Sequence, residues 1–344
     1  MKTAQLAFPL PGRLDATSTP ETRGLARDGV RLLVSRAQGN EEARFVDLVH
    51  YLHPGDVLVV NESQTLAASL PAVGRHGPFL LNVSTDFGRG TYLVEPRRSF
   101  ERPGPIELSA GERVLVGRTA VRMLSVFPGV PRLWFVHAEG DLRQEMARIG
   151  KPIRYGYLRE DPPLSSFQTV FGRVPGSAEM PSAGRPFTRR LLRALERRGV
   201  RHYPVLLHTG VSSLELDAAE VERQPMYPEP FEVPATTAHE VNEARALGRR
   251  VIAVGTTVVR ALESAWDGHG VRPARGFTRY MAVPPKPVSS VDGIVTGFHD
   301  ARTSHLALLF ALAGERRVRE AYRIATGAGY LWHEFGDSHL LLCD

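Results

Sequence analysis

The sequence predicts an α/β protein: a discontinuous α/β core domain with an inserted small antiparallel β-barrel-like domain. Three observations carry this. The run Gly248 to Ser264, GRRVIAVGTTVVRALES, reads as a buried strand, a tight polar turn and a helix. From about Leu66 to Gly140 the texture becomes short alternating runs, FLLNVST, TYLVEP, RVLVG, VRMLSVF and RLWFVHAEG, split by Gly, Pro and charged turns. Strand-length runs at that spacing, with no helix between them, favour an antiparallel barrel or sandwich. After Asp141 helical signals return. The predicted core is therefore residues 1–61 and 141–344, and the inserted domain residues 62–140. A chain of 344 residues is above the size at which single cores usually split.

Each element has a local reason. Val251 to Val254 is a β-branched run suited to a parallel strand covered on both faces. Gly255 lets the chain turn without a Cβ clash, and Thr256 and Thr257 offer hydroxyls to cap the following helix. RLLVS and DVLVVN, before Asn61, are further strands. Thr188 is placed to cap a helix whose Leu191, Leu192 and Leu195 share an inner face and which stops at Gly199. Thr237 and Glu240 have capping-box spacing for a helix ending near Gly248. Ser304 is the expected cap of HLALLFALA, apolar nearly all round and so buried, with Gly314 as its stop. The Pro-rich stretch Pro284 to Gly293 reads as a loop.

The bulk numbers fit a cytoplasmic protein. No run reaches the roughly 18 apolar residues of a membrane span, and the N-terminal segment lacks the apolar core of a signal peptide. The single cysteine, Cys343, permits neither an intrachain disulfide nor a cysteine metal site. Net charge is +6, carried mostly by arginine. Arg189, Arg190, Arg193, Arg197, Arg198 and Arg201 form one cluster and Arg316, Arg317 and Arg319 another. Guanidinium forks suit phosphate. The same residues also read as solvated helix faces.

Colinear motifs add a second line of inference. Alongside GRRVIAVGTTVVRALES stand VRLLVS at Val30 to Ser35, LHPGDVLVVNES at Leu52 to Ser63 and FQTVFGRVPGSAEMPSAGRPFT at Phe167 to Thr188. MYPEPFEVP at Met226 to Pro234, TGFH at Thr296 to His299 and FGDS at Phe335 to Ser338 complete the series. Together they resemble the S-adenosylmethionine:tRNA ribosyltransferase-isomerase family of queuosine biosynthesis. The resemblance implies transfer of the ribosyl part of S-adenosylmethionine to the aminomethyl group of a 7-deazaguanine base in tRNA. Rearrangement to an epoxycyclopentane follows, with release of adenine and methionine. No metal or second organic cofactor is implied; the partners are S-adenosylmethionine, as substrate, and tRNA, with no membrane and no stated oligomeric state.

That chemistry needs a base near the acidified C5′ protons, a donor for departing adenine, a carboxylate near the sulfonium and a partner for the methionine carboxylate. By the resemblance the catalytic candidates are Asp337, His299 and Glu229, and the substrate-binding candidates Gly255, Thr256, Thr257, Arg260, Asn61, Ser182 and Gly184. Each has a duller alternative. Arg260 reaches a ligand carboxylate or pairs with Glu263 at i+3. Asp337 faces the sulfonium or forms a turn. His299 is an acid/base near neutral pH or bonds backbone at the start of a helix, and Glu263 reads as structural.

The chain also departs from the family pattern. Gln224 and Tyr227 stand where the family has the histidines of its HxMHxE motif, Pro186 where PTAGLHFT has histidine, and Gln64 and Ser69 where FNDTRVIPARL has arginines. Asp300 and Arg302 lie in the altered HLPKST stretch. Two further readings therefore stay open: a paralogue with another base or a small molecule as acceptor, and a catalytically silent ligand-binding relative.

Overall fold

The structure, a computed structural model, describes residues 1–100, 104, 106–211 and 216–343. Its architecture is α/β, built on a nine-stranded mixed sheet and a closed six-stranded antiparallel barrel. Across the large sheet the strands run Ala274–Thr278, Glu229–Val233, Arg201–Leu207, Val57–Asn61, Val251–Val254, Gly293–Gly297, Ser338–Leu342, Arg31–Arg36 and Gly39–Arg44. The middle four, from Arg201–Leu207 to Gly293–Gly297, are mutually parallel. Val57–Asn61 and Val251–Val254 are buried at every residue, as a sheet covered on both faces requires.

Outside these four the sheet is mixed, and one of its reversals shapes the site. Ser338–Leu342 runs antiparallel to Gly293–Gly297, with Gly297 opposite Ser338. The segment entering Ser338 is thereby brought to the edge where the parallel strands end.

The barrel closes in the order Val130–Ala138, Thr91–Arg97, Gly77–Gly88, Ser69–Gly74, Arg113–Val116 and Thr119–Phe127. Its core includes Leu70, Leu81, Val94, Val121, Met123 and Val136, and the helix Leu142–Ile149 adds Leu142 and Met146 to the same cluster. A separate apolar cluster joins the two parts. Leu93, Phe127 and Leu133 of the barrel pack with Ile153, Ala178, Val211 and Tyr227. Burial of this kind, at about 25 cal/mol per Å² of apolar surface, seats the barrel on the sheet.

The helices form where the apolar spacing predicts, with shifted caps. Thr188 caps Arg189–Arg197, its Oγ1 accepting from the Leu191 amide at 3.1 Å. Leu191 and Leu195 are buried and Leu192 is half-buried. The helix expected to start at Thr237 begins earlier, as Ala235–Ala246 after Pro234, whose fixed φ suits the position. Thr237 instead donates to the Pro204 carbonyl at 2.6 Å. For Ser304–Ala313 the cap is Thr303 rather than Ser304, accepting from the Leu306 amide at 3.3 Å. Neither Thr256 nor Thr257 caps its helix: Gly255 is the N-cap, at φ +96°, and no side chain caps Thr256–Ser264. Among the described residues no helix is long and apolar enough to cross a membrane.

Candidate functional site

A cavity of ≈ 390 Å³ opens where Val251–Val254 and Gly293–Gly297 end. That volume is in the range of small-molecule pockets, ~300–1,000 Å³. The position follows from the sheet: ligands of open α/β folds bind beyond the carboxyl ends of parallel strands. Several separate stretches of chain build its walls.

The floor is the turn Gly255, Thr256 and Thr257. A Cβ on Gly255 would lie 3.3 Å from the Ala183 Cβ, and the positive φ disfavours any side chain there. Thr256 and Thr257 open a nine-residue helix, so their amides have no intrahelical acceptor and the positive end of the helix dipole faces the cavity. Ser182 and Ala183 close this side.

Aromatic rings form a second wall. Tyr155 stacks on Tyr157, with ring centres 6.2 Å apart, and Tyr157 on His333 at 4.2 Å and 13°. Tyr155 donates its hydroxyl to Glu179 Oε1, and Tyr157 donates to Glu334 Oε2 at 2.7 Å. His333 sits at φ +69° with Nε2 3.1 Å from Asp15 Oδ1 and Nδ1 3.8 Å from Asp300 Oδ2.

The third wall follows Gly293–Gly297. His299 Nε2 lies 2.8 Å from Thr296 Oγ1, its amide donates to Tyr322 Oη at 3.1 Å, and its ring stacks on His305 at 4.8 Å. Burial, then the neighbouring His305, pushes the His299 pKa well below its ordinary value, so the ring is neutral at pH 7. Burial, with the charge of Arg260 adding to it, lowers His305 to about 4.

The charge pattern is one-sided. Among the described residues lining the cavity there is no lysine or arginine, while Glu179, Asp300 and Glu334 supply three carboxyl groups. Burial, reinforced by the charge of Glu179, pushes Glu334 up to about 7.

Of the residues expected to act, Gly255, Thr256, Thr257, Ser182 and His299 line this cavity; Asp337, Glu229, Arg260, Asn61 and Gly184 do not. Asp337 is 6% exposed, and its two carboxylate oxygens accept from the amides of Arg31 and Leu331, each at 2.8 Å. That is the bonding of a turn former. Arg260 pairs with Glu229, not with Glu263, and donates its Nε to the Tyr280 carbonyl at 3.0 Å. Glu263 accepts from the amides of Ser289 and Ser290 and from Tyr280 Oη. Asn61 bonds both backbone groups of Leu207 and reaches Thr257 Oγ1 at 3.3 Å, which ties one strand end to the floor of the cavity. Gly184 closes the short turn Ser182–Gly184 behind the wall.

The altered positions also lie elsewhere. Gln64, Ser69, Pro186, Gln224 and Tyr227 are absent from the lining. Gln224 Oε1 accepts from the amides of Asp217 and Ala218, and the buried Tyr227 hydroxyl donates to the Val211 carbonyl at 2.8 Å. Asp300 lines the cavity; Arg302 does not.

Sequence reasoning passed over Tyr155, Tyr157, Glu179, His305, His333 and Glu334. Two signals were present: Glu179 lies inside the SAEMPSAG segment, and His333 and Glu334 immediately precede FGDS. The arginine clusters are partly committed. Arg190 pairs with Asp28 and Arg319 with Glu315, while Arg198 and Arg317 donate to the carbonyls of Leu52 and Leu342. For a metal, the one grouping among the described residues is His239, Glu240 and Glu243, on the outer face of the Ala235–Ala246 helix and apart from the cavity. Exposed carboxylates on a helix face need no ion.

Known proteins resemble this chain over nearly its whole length. The family model described as "Queuosine biosynthesis protein" matches residues 3–341. The S-adenosylmethionine:tRNA ribosyltransferase-isomerase of Moorella thermoacetica is 36% identical over 326 residues, covering 92% of this chain and 94% of that protein. The protein of the same name from Rubrobacter xylanophilus is 37% identical over 353 residues, covering 99% and 98%. A crystal structure of S-adenosylmethionine tRNA ribosyltransferase from Thermotoga maritima aligns with TM-score 0.55 at 26% identity, covering 98% of this chain and 100% of that one. With the family model spanning nearly its full length, the chain belongs to the queuosine biosynthesis family of enzymes.

Proposed function

We propose that this enzyme transfers and isomerises the ribosyl moiety of S-adenosylmethionine onto the 7-aminomethyl-7-deazaguanine base of tRNA, giving epoxyqueuosine and releasing adenine and methionine. The observation that carries the reading is the polarity of the cavity: helix amides without an intrahelical acceptor at the floor, carboxyl groups and stacked rings along a wall, and no lysine or arginine among the described lining residues. S-adenosylmethionine has the matching pattern of a carboxylate, a sulfonium cation and a flat base.

In this reading the amides of Thr256 and Thr257 hold the methionine carboxylate, a helix N-terminus being suited to an anion. Glu179, Glu334 and Asp300 face the sulfonium. The rings of Tyr155, Tyr157 and His333 supply a face for adenine. His299, neutral and bonded through Nε2 to Thr296, is a wall of the pocket rather than a proton carrier. Asn61, Gly184 and the Glu229–Arg260 pair support the floor and walls from behind, and Asp337 holds the turn after Glu334. The tRNA half rests on the named relatives and on the exposed arginines, such as Arg189, Arg197 and Arg201.

The test is incubation of purified protein with S-adenosylmethionine, with and without tRNA bearing the aminomethyl-deazaguanine base, following adenine, methionine and the RNA mass. Release that requires the modified tRNA, with a matching mass gain, is expected, and binding to that tRNA should fall steeply with salt. Release without RNA, or to a small-molecule acceptor, would favour the paralogue. Binding of S-adenosylmethionine with no release to any acceptor would favour the silent relative.

A further inference from the structure

The geometry points to Glu334 as the general base that removes the C5′ proton of the bound sulfonium, with Glu179 beside it as the second carboxyl of a pair; this rests on the S-adenosylmethionine reading above. Elimination among the carboxyl groups near the cavity leaves the pair Glu334 and Glu179, and the backbone around Glu334 singles it out. Glu229 is neutralised by Arg260, and Asp337 spends both oxygens on backbone amides. Asp300 turns toward the His333 imidazole, 3.8 Å away. Glu334 lines the cavity and has no cationic side chain among its described lining neighbours; the hydrogen bond given to it is that of the Tyr157 hydroxyl, on one oxygen.

The backbone aims this residue. His333, one position earlier, is a non-glycine residue in the left-handed region, a conformation that L side chains seldom adopt. It is pinned there by its stack on Tyr157 and its bond to Asp15. On the other side, a Cβ at Gly336 would come within 2.3 Å of the Leu331 carbonyl oxygen, so only glycine lets the turn pack this closely. Strain kept in place by such over-determination is a feature of working sites. The two tyrosines that hold Glu334 and Glu179 stack on each other, so the two carboxyls are set by one rigid unit.

The step balances. The C5′–H bond breaks, its electron pair remains on carbon as the sulfonium ylide, and the proton forms an O–H bond on Glu334. One positive and one negative charge become two neutral groups. Burial and the Glu179 charge bring Glu334 to about 7, the range in which a general base works best at neutral pH. Arrival of the sulfonium favours its ionised form, so the base is charged when substrate is present.

The experiment uses S-adenosylmethionine deuterated at C5′, with the modified tRNA, and follows deuterium loss to water together with adenine release. Glu334→Gln is expected to weaken S-adenosylmethionine binding by no more than about tenfold, because Glu179 and Asp300 still line the cavity, and to lose deuterium washout and adenine release by about 100-fold or more. Glu334→Asp, which keeps the charge but withdraws it by one methylene, serves if the glutamine variant does not fold; binding retained with washout lost again supports the assignment. Washout by either folded variant within tenfold of the unaltered protein overturns it while leaving the S-adenosylmethionine reading intact. If the unaltered protein neither binds S-adenosylmethionine nor releases adenine, that reading fails and the assignment with it.

Discussion

Glu229 and Glu334 are the same residue in two very different settings. Glu229 sits 2% exposed in the sheet, accepts from the Gly210 amide at 2.8 Å and is paired with Arg260. Glu334 faces a cavity, accepts from a tyrosine hydroxyl and has a second glutamate acting on it. The first is charge spent on structure, because a buried carboxylate with a guanidinium and an amide has little left to give a substrate. The second is charge held in reserve. Reactivity here is set by the partner, not by the residue type.

The largest expected effect that breaks this comparison is on turnover. Glu334→Gln should lower adenine release by about 10²–10⁴-fold, the usual range for a general base, while Glu229→Gln in whatever fraction folds should lower it far less. Single-turnover release per folded molecule checks this.

Next comes stability. Arg260→Ala leaves Glu229 as an unpaired buried charge, and breaking such a pair costs about 3–5 kcal/mol. Urea unfolding should show it, whereas Glu334→Gln should not be destabilised. The double variant Glu229→Gln/Arg260→Met should recover part of the loss, since the pair is removed together.

Asp337→Asn sharpens the distinction between turn and catalyst. It weakens one of two amide bonds to the carboxylate and should cost about 1–3 kcal/mol of stability. Turnover of the folded fraction should stay within a few-fold of the unaltered protein, and a loss matching Glu334→Gln would place Asp337 in the chemistry instead.

The comparison extends to pH dependence. Glu334 has a folded pKa raised to about 7 against an ordinary 4.5. The folded state holds this proton more tightly, so stability falls as pH rises from 4.5 to about 7 and the loss is complete above that. Glu334→Gln should therefore raise the melting temperature more at pH 8 than at pH 5. The buried histidines act in the opposite sense. Burial lowers His305 to about 4 and His339 to about 3, so the unfolded chain gains protons below 6.5 that the folded chain refuses. Stability is lost as pH falls from 6.5 toward those values; replacing His339 by phenylalanine should flatten that acid limb in a calorimetric pH series.

Much of the scaffold was legible in the chain. The β-branched run Val251 to Val254 is a strand at its predicted limits, and the alternating runs after Leu66 are barrel strands. Thr188 caps the helix it precedes. These depend on neighbours a few residues away, where period and turn chemistry dominate. The caps at Thr237, Ser304 and Thr256 were misplaced for the same reason: Pro234, Thr303 and Gly255, close by, met the local requirement better.

The site was less legible. Gly255, Thr256, Thr257, Ser182 and His299 reach the cavity, and they lie at the carboxyl end of a strand or in turns that the sequence marks. Arg260 and Asp337 were drawn away by partners remote in sequence, Glu229 and the Arg31 amide. Tyr155, Glu179 and Glu334 meet only because the antiparallel Ser338–Leu342 strand returns its leading segment to the same edge.

By itself, then, the sequence determined which segments are strands and helices and where the glycine turn must fall, since hydrophobic period and backbone sterics act over a few residues. Which carboxylate is neutralised and which stays basic was decided only by the tertiary structure, because charge and burial depend on partners that lie 31 residues away for Glu229 and 177 for Glu334.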